Sequence, residues 1–381
     1  MLAGDTREES MVRSTLLAAA SLALLALVPG FVGAQEAVAA AEEPKQEKNF
    51  RFSIIGGPFY NSKVKLAVGA APLLTFSTDR TDPELQRSTL VFPFSISTNG
   101  SFAVAAATRM FFPRDRMRGV GLLQMKTGPN LYFGRGYESG ADPDNEEQFD
   151  GREFEIAWTQ QWQTVEHLFV GGGFDIGYEE AKNFPPDGLI ANESNSAEQF
   201  NVGLVGVTSY DSRDVAGNAY EGMLLEVEGK IFRRWLGGDN DYERLRFDYR
   251  GYKKISSTRN YAIAWQFLTE RAWGDVPWQD LPALGSPREM RAYFLDRFRD
   301  EWRILGQFEL RLHEIKGRFG LATWVAAGTV APSLGKANIQ ETLAEFGIGL
   351  RFRLQPRQNA RVDVAFGRGA IGLVLNVQEA F

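Results

Sequence analysis

From Trp302 onward the chain alternates with a period of two. Trp302, Ile304, Phe308, Leu310 and Leu312 share one phase; Arg303, Gln307, Glu309, Arg311 and His313 share the other, with Leu305 the one exception. Neighbouring side chains on a strand point to opposite faces, so this segment is a β-strand with one apolar and one charged face. The contrast recurs: Leu245, Phe247 and Tyr249 alternate with Arg244, Arg246, Asp248 and Arg250, and Val362, Val364 and Phe366 with Arg361 and Asp363. Repeated in strand after strand with no helix between, it points to an all-β fold, a transmembrane antiparallel β-barrel with lipid outside and a polar lumen. A charge at the lipid midplane costs about 2–4 kcal/mol, so the charged phase has to face inward.

Strands read from Phe50 to Phe381 number about sixteen, an even count, as in single-chain bacterial outer-membrane barrels. Alternation weakens from Val64 to Leu74 and from Val202 to Val207, where both phases are apolar or glycine. A long polar loop, Ala272 to Arg299, precedes the strand that begins near Asp300. In the last strand, Ala370–Phe381, the residues Ile371, Leu373, Leu375, Val377 and Phe381 lie in one phase. Phe381 is therefore expected to end a lipid-facing row, and an aromatic residue there resembles the signal that the barrel assembly machinery reads on its clients.

The one apolar run that approaches the roughly 20 residues of a helical span is Leu16 to Val32. Arg13 precedes it and Val32-Gly33-Ala34 supplies the small residues of a cleavage site. Residues 1–34 are expected to be a cleaved signal peptide, with Met11 a better start than the acidic stretch before it, and 35–49 a flexible periplasmic tail. The barrel is expected over 50–381. The absence of cysteine excludes disulfides and thiolate metal sites, and a net charge of -6 without a basic cluster argues against nucleic acid. Asp142, Asp144, Glu146, Glu147 and Asp150 crowd one loop without metal-ligand spacing, so that loop reads as a solvated surface and neither a metal nor another cofactor is expected. His167 and His313 are the two histidines, and neither is placed with a serine and an orienting acid as a hydrolase requires, so no catalytic residue is expected.

Four pieces then fall in a telling order. A strand through Gly203 to Tyr210 runs into Asp211-Ser212-Arg213-Asp214, with Gly222 following; the loop from Leu281 to Arg299 carries Arg291-Ala292-Tyr293; Trp324-Val325-Ala326-Ala327-Gly328 comes next; and Phe346 to Phe352, Arg361-Val362-Asp363 and Gln378-Glu379-Ala380-Phe381 close the chain. Together they resemble the BamA/TamA family of bacterial surface antigen barrels, in a short form without the periplasmic POTRA domains. Tyr210, Asp211, Arg213 and Asp214 match the family's strand-end motif, and the last three are expected to form a structural ion-pair cluster. Arg291 and Tyr293 match the Arg-Gly-Tyr tip of its loop six, with Ala292 in place of the glycine.

The resemblance implies a loop six folded into the lumen and a poorly paired seam between first and last strands. Through that seam such barrels act in outer-membrane biogenesis, inserting or translocating protein or lipid. In the family an aspartate usually pairs with the loop arginine, but Ala326 stands in its place here. A buried arginine needs an acceptor, and Glu309, on the inward phase of the neighbouring strand beside Arg311, is the expected one. The partners implied are outer-membrane lipids and lipopolysaccharide, then unfolded outer-membrane proteins or a periplasmic partner subunit; the oligomeric state is left open. The rival readings are a passive solute channel and a structural surface barrel.

Overall fold

A computed structural model describes residues 49–61, 65–82, 85–193 and 197–381. The expected signal peptide and all but the last residue of the expected tail lie outside the described residues. The strands are β1 (Phe50–Asn61), β2 (Lys65–Phe76), β3 (Ser88–Val91), β4 (Phe94–Ser97), β5 (Phe102–Phe111), β6 (Met117–Tyr132), β7 (Glu147–Val165), β8 (Leu168–Lys182), β9 (Glu198–Asp211), β10 (Gly222–Phe232), β11 (Tyr242–Lys254), β12 (Tyr261–Gly274), β13 (Ala283–Leu284), β14 (Phe298–Arg299), β15 (Trp302–Lys316), β16 (Phe319–Ala331), β17 (Leu343–Gln355), β18 (Gln358–Gly367) and β19 (Ala370–Val377).

Apart from the β13–β14 hairpin, all belong to one antiparallel sheet of seventeen strands. β3 and β4 both bridge β2 to β5, so they are halves of one stave and the sheet has sixteen. The break falls at Phe92-Pro93, where proline has no N–H for the ladder. Connections alternate between two rims. One carries tight turns such as Glu166-His167, Gly317-Arg318 and Pro356-Arg357; the other carries 133–146, 183–197 and the loop 275–301 that spans β12 to β15. This asymmetry is usual for barrels that cross the outer membrane.

The protein is apolar outside and charged inside. On β17, Phe346, Ile348 and Leu350 are 60%, 54% and 55% exposed, while Glu345 and Arg351, which flank them in the other phase, are buried. Ile348→Arg is expected to lower folding stability in lipid vesicles by about 2–4 kcal/mol, read from a urea titration. An unchanged midpoint would place this face away from the hydrocarbon.

Two features depart from the sequence expectation. The sequence reads the first strand as Phe50–Gly56, with Gly56, Gly57 and Pro58 weakening its pairing, whereas β1 continues through all three to Asn61, fully paired with β2. The closing strand, by contrast, stops at Val377: Gln378 takes φ 70°, and Glu379, Ala380 and Phe381 turn into the lumen, where Phe381 is buried. Phe381 is thus not the end of a lipid-facing row. Had the strand continued, Glu379 would have shared the outward phase of Leu373 and Leu375; turned inward, its carboxylate accepts from Arg351 Nε at 2.8 Å.

Among the described residues no backbone ladder joins β1 to β19, although every other adjacent pair of staves is laddered. Side chains bring the two ends of the sheet together instead. Gln355, at the end of β17, donates to Ser53 of β1 at 2.9 Å and accepts from Thr75 of β2 at 2.7 Å.

Candidate functional site

Loop 275–301 does not project into solvent. The β13–β14 hairpin narrows its neck, and a turn in which Glu289 N and Arg288 N donate to the Ser286 hydroxyl sets up its tip. Met290, at φ 52°, then turns Arg291, Ala292 and Tyr293 into the barrel. All three are buried.

Arg291 is the centre of the site. Its Nη2 donates to Glu309 Oε2 at 2.5 Å, its Nη1 to Asp363 Oδ2 at 2.9 Å, and its guanidinium lies 4.0 Å from the centroid of the Trp324 ring. The planar fork suits two carboxylates on two different strands, and the aromatic face adds a cation–π contact. The residues that flank it are held too. Ala292 N donates to Glu345 Oε2 at 2.6 Å, and Tyr293 O–H donates to Ala344 O at 2.9 Å while accepting from Arg368 N at 3.0 Å. Glu345 also accepts from Trp324 Nε1 at 3.0 Å.

Ala326 faces Glu345 across the β16–β17 ladder, is buried in the apolar cluster under the loop and offers no acceptor. The acceptors for loop six therefore come from β15, β17 and β18 instead of β16. Glu309, singled out by its inward phase, is one of them; sequence reasoning does not single out Asp363 or Glu345. Ala326→Asp is expected to destabilise the barrel by roughly 3 kcal/mol, because it adds a buried carboxylate opposite Glu345 with no new cation. Adding Glu345→Gln should recover most of that loss in the same urea titration, and no recovery would rule out charge as its cause.

The carboxylates are shared. Glu309 Oε1 accepts from Arg311 Nε at 3.0 Å and Arg351 Nη2 at 3.3 Å. Asp363 accepts from Arg351 Nη1 at 2.5 Å and pairs with Arg361, which reaches the Pro287 carbonyl in the loop at 2.5 Å. Arg311 Nη2 donates to Phe381 O at 2.9 Å. A single buried network thus ties the loop tip, the wall and the inward-turned chain end. Buried charges persist only when paired and hydrogen-bonded in this way.

Beneath the tip lies an apolar seat formed by Leu268, Leu284, Met290, Leu305, Trp324 and Leu343. Leu268, Leu305 and Leu343 are wall residues that break the polar phase of their strands. Such exceptions in the sequence are the signal that could have located the seat. Glycines complete it: a Cβ on Gly372 would overlap the Arg291 carbonyl oxygen, and one on Gly367 would come within 2.7 Å of the Tyr293 ring. Only bare backbone on β18 and β19 lets the loop approach so closely.

The strand-end motif forms a separate cluster. Asp211 accepts from Arg213 Nε at 2.7 Å and from Arg118 Nη1 at 2.6 Å; Asp214 pairs with Arg357. Tyr210 stays on the wall, 5.8 Å from the ring of His167. His313 is enclosed in the lumen by the Tyr220 ring at 4.9 Å, Asn359 at 3.2 Å and Glu379. Among the described residues no group of acidic and histidine side chains could hold a metal ion.

A sixteen-staved barrel whose own long loop is bonded into its lumen defines the class: a transmembrane β-barrel of the loop-plugged kind. A family model described as the Omp85 superfamily domain matches residues 151–368, more than half of the chain, and the chain belongs to that superfamily. No curated protein matches it. Among solved structures it is similar to BamA from Haemophilus ducreyi lacking POTRA domains 1–3, at 15% identity and TM-score 0.54, covering 86% of this chain and 69% of that one. It is also similar to CdiB from Acinetobacter baumannii, at 10% identity and TM-score 0.55, covering 87% and 60%. At such identities the likeness is one of fold, a BamA-like barrel.

Proposed function

We propose that this barrel works in outer-membrane biogenesis, inserting or translocating protein or lipid through the seam between β1 and β19. The observation that carries the reading is the missing ladder: β1 offers one edge of unpaired backbone groups beside the short β19. Unpaired N–H and C=O groups in lipid cost several kcal/mol each, and an incoming strand that pairs with such an edge removes that cost. Outer-membrane lipids, lipopolysaccharide and unfolded outer-membrane proteins are the partners that fit. A passive channel would need an open lumen, whereas loop six is bonded into this one through Arg291 and Ala292.

The test is the folding rate of an unfolded client barrel into liposomes with and without the purified protein. A second arm uses a variant with one cysteine in β1 and one in β19, joined by a disulfide. Acceleration by the reduced form and none by the oxidised form is expected. Equal rates in the presence and absence of protein would end the insertase reading, and equal rates for the two redox forms would move the activity away from the seam.

A further inference from the structure

Loop six closes the lumen from the rim of long loops. The opposite rim carries two connections longer than its tight turns, 77–87 between β2 and β3 and 212–221 between β9 and β10, and the second reaches across to the first. The neck of 212–221 is drawn together by Ser212 N donating to Met223 O at 2.9 Å and by Gly222 at φ 93°, where a Cβ would overlap the Ser212 carbonyl. Asp214 Oδ1 braces the bend by accepting from Val215 N at 2.9 Å and Tyr220 N at 3.0 Å.

The partners of this segment lie all around the ring. Ala216 N donates to Gln86 Oε1, in the β2–β3 connection, at 2.8 Å. Arg357, in the β17–β18 turn, pairs with Asp214, donates to Asn218 O at 2.9 Å and stacks 3.5 Å above the Tyr220 ring. Tyr220 lies against His313 of β15, and Ala219 shares an apolar cluster with Tyr252 of β11, Ala264 of β12, Ala380 and Phe381. A turn between the eighth and ninth staves can meet the second and third, the tenth to twelfth, and the fourteenth and fifteenth only by crossing the mouth. Burial there pushes the Tyr220 phenol up to about 12.

We propose that residues 212–221 are a second stopper, closing the lumen at the short-turn rim in series with loop six, and that the Asp211-x-Arg213-Asp214 motif exists to shape and hold it. The two closures communicate. Ala219 packs with Phe381, whose carbonyl accepts from Arg311; Arg311 donates to Glu309, which holds Arg291. The stopper concerns the lumen and stands whether or not the seam inserts clients.

Closures in series make a definite prediction for single-channel conductance in planar bilayers. Arg291→Ala alone and Gln86→Ala with Arg357→Ala should each leave the barrel at the low level of the unaltered protein. All three substitutions together should give a steady conductance at least tenfold higher. Full conductance from Arg291→Ala alone, or none from the combination, overturns the proposal. Because the chain has no cysteine, Gln86→Cys with Ala216→Cys provides an arm that leaves the charge network intact. A short bis-maleimide should join the two in the folded, bilayer-embedded protein and shift its gel mobility, and absence of that cross-link would equally overturn it.

Discussion

Arg291→Ala is expected to lower the stability of the barrel by about 3–5 kcal/mol and to free loop six, the effect of removing one partner from a buried ion pair. Glu309 and Asp363 would keep Arg311, Arg351 and Arg361, but their own bonds to the loop would be gone, together with the stack on Trp324. The tip would then hang from the Ala292 and Tyr293 bonds, with Arg361 on the Pro287 carbonyl and the Arg303–Glu289 pair holding the turn before it. Two readouts check this: the urea midpoint in vesicles, and trypsin cleavage at Arg288 or Arg297, which should become rapid. Arg291→Lys should recover less than half of the loss, because an ammonium group cannot span two carboxylates as the guanidinium fork does. Intact protease resistance in Arg291→Ala would show that the loop is held by its apolar seat instead.

Asp363→Ala is expected to cost more, on the order of 5 kcal/mol, because this carboxylate separates Arg291, Arg351 and Arg361 and its loss leaves three like charges facing one another in a buried site. It reaches them through a gap in β17: a Cβ on Gly349 would overlap its Oδ1. If repulsion is the cause, removing one cation along with it should help, so Asp363→Asn with Arg361→Gln should unfold at higher urea than Asp363→Asn alone. A double variant no better than the single would mean that hydrogen bonds from Asp363 matter more than charge balance. Adding Arg291→Ala to Asp363→Ala should also cost less than the sum of the two, since both act on one network.

Much of the wall was legible in the sequence because alternation is a local property. Ile348, Leu350 and Phe352 against Arg351 fix which face of β17 meets lipid with no knowledge of its neighbours. The same phase argument gives Glu309 an inward direction, and the vacancy at Ala326 shows that some acceptor has to move. What it cannot give is register between distant strands. Asp363 is 72 residues from Arg291 and Glu345 is 53 from Ala292, and each reaches the loop only because β17 and β18 are set at a particular stagger in the ring.

The chain end makes the same point. Phase alone carries Phe381 onto the lipid face, yet Arg311 and Arg351 draw Glu379 and Phe381 into the lumen. Leu305 stood out in the sequence as a lapse in alternation, and only the folded loop shows it to be part of a seat. The sequence by itself determined an inside-out antiparallel barrel, its inward phase and a loop built to enter it, because strand period and hydrophobicity act on neighbours along the chain. The acceptors of Arg291, the inward turn at Gln378 and the unladdered seam were decided by the tertiary structure, because each depends on which distant backbone is brought within bonding distance once the sheet has curled round.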